Sequence, residues 1–492
     1  MSAAPRRLGH MATAWQLHWG VEALPREMVD THAPGVFAHT IPSEDSWEGV
    51  SQWSEQLQQE SRFAWPRRSE ISLPQFPRLE FVENNLEDLK ELWENLASEH
   101  RTEFARAYGN IADLMYANIS TQVLQALVHF WDPMLKCFTF SMFDLTPTIE
   151  EYRALIGILP CIGGKVYVYD RRRTLQRSLS KFLGNIHASD IKKQMKTKGG
   201  RSCIPIDYLI SLTRAFLPGR KGLSLLALCI YGTVIFPRIK GYAEEEVIKL
   251  FVGIKRAVNP IIPIMAKTFR SLSYCRVQGK GKFFSCAPML FIWISSHLKY
   301  PSEFGYPQIK FSSHLTSDEI IWRASWVPTN PLTYRCGQLP FVPLLGLWGG
   351  IAYSPLLVLR QLWSKQFTPF VQGLEDWNFS YESNEKSAKV CEAVEAWKFV
   401  RSMKSLRHCE GTTEQYDNWR ATRVGIKIAQ ESTNPSMEIF RKNENQEKDL
   451  ERLKQMNQVL ATENEELRVE VRRLVQQATS AQRQLEEATR CL

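Results

Sequence analysis

The chain has 492 residues, 44% of them apolar, and carries a formal net charge of +9 at neutral pH. That apolar share excludes disorder throughout and suffices for a full hydrophobic core, with length for about two to four domains. No apolar run of signal-peptide length follows Arg6 and Arg7, so the protein is expected inside the cell with its ten cysteines as reduced thiols.

Residues 1–78 mix Trp, Pro, His, Ser and charge without helical or strand periodicity, which predicts a flexible leader. From Leu79 the pattern changes. NNLEDLKELWENL puts Leu86, Leu89, Trp93 and Leu96 on one helical face, and STQVLQALVHFWDP does the same with Val123, Leu124, Leu127, Val128 and Trp131. In FDLTPTIEEYRALIG, Thr146 or Thr148 can cap a helix whose first turn holds Glu150 and Glu151, where negative charge meets the positive end of the helix dipole. Gly157 can close that helix in the left-handed conformation. KVYVYDRRR alternates Val166 and Val168 with Tyr167 and Tyr169 and predicts a short strand.

The apolar runs Leu223–Phe236 and Ala287–Leu298 fall short of the roughly 20 residues needed to cross a bilayer and predict core helices. Leu339–Trp363 is long enough, but Pro340, Pro343, Pro355 and the pair Gly349–Gly350 interrupt it, so a buried core segment is expected and no membrane span. The rest, to about Arg423, reads mostly as helix. The expected fold class is therefore mainly α: a helical globular domain over 79–430 with a few short strands, a polar linker over 431–446, and a long coiled-coil helix over 447–490.

The tail carries the sharpest pattern. Leu450, Asn457, Asn464, Val471, Ala478 and Leu485 recur at heptad position a, and Leu453, Leu460, Leu467, Leu474 and Ala481 at d. Pairing two such helices removes the aliphatic stripe from water, at roughly 1.5–3 kcal/mol per fully buried leucine. Asn457 and Asn464 at a favour a two-stranded parallel pair, and Glu463 can meet Arg468 of the partner, as Asp449 can meet Lys454. The preceding EIFRKNENQEKDLERLKQ mixes acids with bases, unlike the basic region of a zipper that reads DNA, so this repeat is expected to join proteins: a second copy, or another coiled-coil protein.

Positive charge is concentrated in a second segment. Arg171, Arg172, Arg173, Arg177, Lys181, Lys192, Lys193, Lys196, Lys198 and Arg201 stand against only Asp170 and Asp190, which reads first as a solvated, mobile loop around KKQMKTKGGR, alternatively as a surface that attracts nucleic acid with Tyr167 or Tyr169 as a stacking face, and thirdly as a nuclear import signal. No nucleophile elbow, zinc-protease helix, phosphate loop or dinucleotide fingerprint occurs, so no catalytic, cofactor-binding or metal-binding residue is expected. Glu244, Glu245 and Glu246 read as a solvated helix face, and the tryptophans, among them Trp293, Trp322, Trp326, Trp348, Trp363, Trp397 and Trp419, as core anchors.

The segments FWDPMLKCFTFSMFDLTPTIEEYRALIGI, RRTLQRSLSKFLG, LALCIYGTVIFPRIKG, TFRSLSYCR, YRCGQLPFVPLLGLWGGIAYSPLLVLRQ and YDNWRATRV carry a family resemblance. Over about Leu79 to Val424 the chain resembles the plant mobile domain proteins, a plant group overlapping with transposon-derived genes, and more closely an uncharacterised plant domain family allied to it. Some relatives bear an aminotransferase-like label that brings no residues with it. The resemblance implies a genome-associated role and favours the nucleus over the cytoplasm. The function expected is non-enzymatic self-association and partner presentation through the tail, with nucleic-acid binding by the 171–201 segment as the alternative.

Overall fold

The first helices form where apolar spacing predicts them. A computed structural model describes residues 78–158, 165–169, 174–184, 187–299, 315–327, 331–381, 386–403 and 411–432. Strand β1 (Arg78–Phe81) leads into α1 (Glu87–Glu94), α2 (Ser98–Tyr108) and α3 (Thr121–Phe130). Leu89 and Leu96 are buried, as are Val123, Leu124, Leu127 and Val128 on α3, whose N-terminus is capped by the Ser120 hydroxyl accepting from Val123 N.

After α3 the chain makes a small antiparallel sheet, β2 (Trp131–Asp132), β3 (Cys137–Thr139) and β4 (Asp144–Leu145). Helix α4 (Ile149–Ile156) follows with Thr148 as its cap: the Thr148 hydroxyl accepts from Glu151 N while the Glu151 carboxylate accepts from Thr148 N. Gly157 closes α4 with φ of 69°. The strand expected at 166–169 does not form; Lys165 makes an isolated bridge to Val258 and the residues after it are irregular.

Next come α5 (Leu175–Leu183), α6 (Ala188–Gln194), β5 (Lys196–Lys198), β6 (Arg201–Pro205), α7 (Ile206–Phe216) and α8 (Arg220–Ile230). They are followed by β7 (Tyr242–Glu244), α9 (Glu245–Ile254), α10 (Ile261–Gln278), β8 (Lys280–Phe283) and α11 (Ala287–Ser296). Helix α10 is the spine of the core and packs against α3, α4, β2, β10 and β11, the last two being Val342–Leu345 and Gly349–Tyr353. Its Phe269 ring lies 5.2 Å from Trp131 and 5.5 Å from Tyr353, and the Trp131 indole N–H donates to Ser273 Oγ on the same helix at 3.0 Å.

The remaining elements are β9 (Leu332–Cys336), β12 (Asn378–Ser380), α12 (Lys386–Ala396), β13 (Val400–Met403) and α13 (Glu414–Ser432). The chain divides into two units, Met1–Ala421 and Thr422–Leu492. In the first, the start of α13 docks onto the β3–β4 region: Arg420 donates to the carbonyls of Phe140, Ser141 and Phe143, and Tyr416 Oη donates to Asp144 Oδ2 at 3.0 Å. YDNWR and FDLT, far apart in sequence, thus form one buried polar contact.

The mainly α expectation is overturned. Of the described residues 51% are helical and 18% lie in strands, and those strands form five small sheets. The physical reason is that the strands are either too short to show a period or, as in β2, β3, β4, β10 and β11, buried on both faces. In the hairpin β10–β11 every residue is buried, so the run from Leu339 to Trp363 carries no alternation to betray it. The expected coiled-coil helix over 447–490 is withdrawn as a feature of the fold, because α13 ends at Ser432 and every heptad position from Leu450 to Leu485 lies outside the described residues, as do residues 1–77 of the expected leader and 433–446 of the expected linker. No helix of the described residues is long and apolar enough to cross a membrane.

Candidate functional site

The basic segment folds as two helices and a hairpin. Leu175, Leu179 and Leu183 of α5 and Ile191 of α6 are buried, which turns Arg177, Lys181, Lys192 and Lys193 outward. KTKGGRSC then makes the hairpin β5–β6, with Gly199 and Gly200 at φ of 55° and 73°, the geometry of a two-residue turn that only glycine adopts without strain. Lys196 and Lys198 are exposed on β5, opposite Cys203 and Arg201. Among the described residues of this segment, seven cations face only Asp190, which pairs with Lys193 at 3.0 Å. Arg171, Arg172 and Arg173 lie outside the described residues.

The tyrosines expected to stack on bases are already engaged. Tyr167 is buried, and Tyr169 stacks on Tyr381 with centroids 5.1 Å apart. The aromatic ring beside the hairpin is Tyr242 on β7, with the Lys198 ammonium 5.4 Å from its centroid. Strand order β5–β6–β7 carries the basic hairpin directly to Glu244.

Glu151 forms a second polar cluster of opposite character. Fully buried, it accepts from Thr148 N at 2.9 Å, Trp293 Nε1 at 3.0 Å and Gln361 Nε2 at 3.0 Å, and meets His297 Nε2 at 3.1 Å. His297 Nδ1 lies 2.8 Å from the Ile321 carbonyl, an acceptor only, so Nδ1 carries a hydrogen and the ring bridges that carbonyl and Glu151. Burial acts to raise the Glu151 carboxyl, but the His297, Thr148 and Gln361 hydrogen bonds outweigh it and hold the group below its ordinary range. With its acceptor sites filled by the chain itself, this carboxylate ties α4, α11 and the Pro355–Leu362 turn together.

A cleft of about 710 Å³ runs between α2, α8 and the end of α9. In it Lys255 Nζ donates to Tyr108 Oη at 2.8 Å and Ser224 Oγ at 2.9 Å, and Tyr108 Oη donates to Ser224 Oγ at 2.7 Å. Ser224 donates its own hydrogen to the Arg220 carbonyl at 2.8 Å, and the three side chains together tie α2, α8 and the end of α9. Among the described residues no group of three or more His, Cys, Asp or Glu side chains converges as a metal site.

Sequence reading misses a third cluster. Glu244, expected on a solvated face, is buried at the end of β7, and Arg238 and Lys267 near it lie over the Phe284 and Trp348 rings. These residues are dispersed along the chain, and no local motif marks them. What fold and surface define is a mixed α/β domain with a basic hairpin leading to a half-buried cationic cluster. The chain belongs to the family described as a domain of unknown function, DUF7745, whose model matches residues 89–425. No curated protein and no solved structure matches it.

Proposed function

We propose that this protein works by binding rather than by catalysis, and that its DUF7745 domain takes nucleic acid on the face carrying Arg177, Lys181, Lys192, Lys193, Lys196, Lys198 and Arg201. The observation that carries the reading is that six of these cations are exposed and the seventh, Arg201, partly so, on four successive elements, α5, α6, β5 and β6, with one acid among the described residues of the segment. Clustered cations release condensed counterions when they meet phosphates, so affinity falls steeply with salt. The resemblance to plant mobile domain proteins adds a genome-associated setting.

The test is fluorescence anisotropy with single-stranded and duplex oligonucleotides across a salt series. Changing Lys192, Lys193, Lys196 and Lys198 together to Gln should weaken binding to both and reduce the salt slope by about 1 for each phosphate no longer engaged. Equal affinity and slope for the variant and the native chain would end the reading.

The heptad sequence favours a second reading, self-association through the tail. Two copies would hold two basic faces together and raise the avidity for a long polyanion. Placing Asn at both Leu460 and Leu467 should halve the mass in sedimentation, and an unchanged mass would rule this reading out.

A further inference from the structure

The cleft between α2, α8 and the end of α9 holds about 710 Å³, within the range of small-molecule sites. The Tyr108–Ser224–Lys255 network lines it, and the direction of each hydrogen bond shows where capacity is left. Tyr108 Oη donates to Ser224 Oγ, and Ser224 Oγ donates to the Arg220 carbonyl, so both hydroxyl hydrogens are spent. Lys255 Nζ gives two of its three hydrogens, to Tyr108 Oη and Ser224 Oγ. The third meets no acceptor among the described residues.

The chain holds this ammonium in place from two sides. The Tyr108 ring is wedged between Phe104, with centroids 5.2 Å apart, and Phe251, stacked at 5.7 Å, which fixes its hydroxyl. Lys255 itself caps the C-terminus of α9, where Val258 N folds back to donate to the Gly253 carbonyl at 3.1 Å. Gly253 permits that return, since a Cβ there would lie 3.2 Å from Val258 Cγ2. Lys255 is exposed while Tyr108 and Ser224 are buried, so the unspent N–H belongs to the one member of the network that a ligand can reach.

The charges around the cleft select the ligand. Glu103 pairs with Arg220 Nε at 2.9 Å, and Glu99 lies 3.5 Å from His100. Lys255 and Arg106, which also line the cleft, meet no carboxylate among the described residues. Three cations against two carboxylates leave one positive charge in excess, which a single carboxylate matches through a charge-assisted hydrogen bond. A phosphate dianion exceeds it and would face Glu99 and Glu103. Phe104, Ala107 and Leu223 add an apolar wall. We propose that the cleft binds a small organic monocarboxylate, with its carboxylate on the unspent N–H of Lys255 and its apolar body against that wall. The site uses none of the hairpin lysines and stands whether or not those bind nucleic acid.

Ligand-observed NMR titration of the full chain tests the proposal, with hexanoate, phenylacetate, the neutral phenylacetamide and inorganic phosphate as probes. The carboxylates should bind, phosphate more weakly, and phenylacetamide not at all. K255M should weaken carboxylate binding about tenfold or more, and K255R, which keeps the charge, should recover part of the loss. E103Q removes a carboxylate from the cleft and releases Arg220, so it should tighten binding, a gain that misfolding cannot mimic. The variant carrying Gln at Lys192, Lys193, Lys196 and Lys198 should bind the carboxylates as the native chain does. No binding of either carboxylate at millimolar concentration would overturn the assignment. So would a preference for phosphate, equal binding of phenylacetate and phenylacetamide, or equal affinities for the native chain, K255M and E103Q.

Discussion

Glu151 and Glu244 are both buried glutamates at the start of a helix or the strand before it, yet the chain treats them oppositely. Glu151 is surrounded by donors from Thr148, Trp293, His297 and Gln361 and is held below the ordinary carboxylate range. Glu244 accepts no hydrogen bond among the described residues, is raised by burial, and stands 3.5 Å from Arg238 Nε. A buried charge satisfied by its own chain is a fastener. One left without a hydrogen bond keeps the cost of its burial.

The contrast breaks most visibly at Glu151. Glu151→Ala strips the acceptor from four donors in a dry site, and the expected loss is roughly 3–5 kcal/mol by urea denaturation. A loss below about 1 kcal/mol would mean the cluster is not a fastener. Because its folded carboxyl is depressed, the stability it contributes is present above the ordinary glutamate range and lost as pH falls through the lower folded value. The acid limb of the native stability curve should therefore flatten in E151Q.

Next in size is Arg420→Ala. The guanidinium closes three buried carbonyls, Phe140, Ser141 and Phe143, and lies 3.4 Å from Asp144. Removing it leaves those acceptors and the carboxylate unmatched, at about 2–4 kcal/mol. An effect as small as that of an exposed arginine such as Arg177 would show that the contact is incidental.

These residues also mark how far the sequence can be read. FDLTPTIEEY announces its helix, since Thr148 and Glu151 stand at capping-box spacing. That Glu151 serves as a fastener is not legible, because Trp293, His297 and Gln361 lie 142, 146 and 210 residues away. Short strands escape for a related reason: β2 and β4 have two residues each and show no period, and β10–β11 is apolar throughout. The Gly199–Gly200 pair is a readable turn signal between two short runs, and it makes a defined hairpin of a segment expected first as a solvated, mobile loop. The cationic corner depends on β7, α10 and the β10–β11 turn meeting in space, which one-dimensional spacing cannot express.

Glu244 sharpens the same contrast with a smaller effect of opposite sign. Its raised carboxyl favours the protonated form in the fold, so the stability tied to that proton is present at acid pH and lost as pH rises through the folded value. E244Q should therefore raise the denaturation midpoint modestly at pH 7, with the gain vanishing as pH falls into the ordinary carboxylate range. A midpoint lowered at pH 7 would show that Glu244 is needed as a counterion and that the corner is already balanced.

The smallest expected effect lies at Lys196 and Lys198, whose side chains reach solvent from a three-residue strand at a hairpin tip. Neither contributes an ion pair within the described residues, and Lys198 has only the Tyr242 ring nearby. Each Lys→Gln change should leave stability within about 0.5 kcal/mol of native. If this face carries phosphates, the same changes should still lower the salt slope of nucleic-acid binding by about 1 apiece, a functional loss without a structural one. That dissociation separates the hairpin from the Glu151 cluster, where stability and function must fall together. A hairpin lysine whose loss unfolds the domain would place it among the fasteners instead.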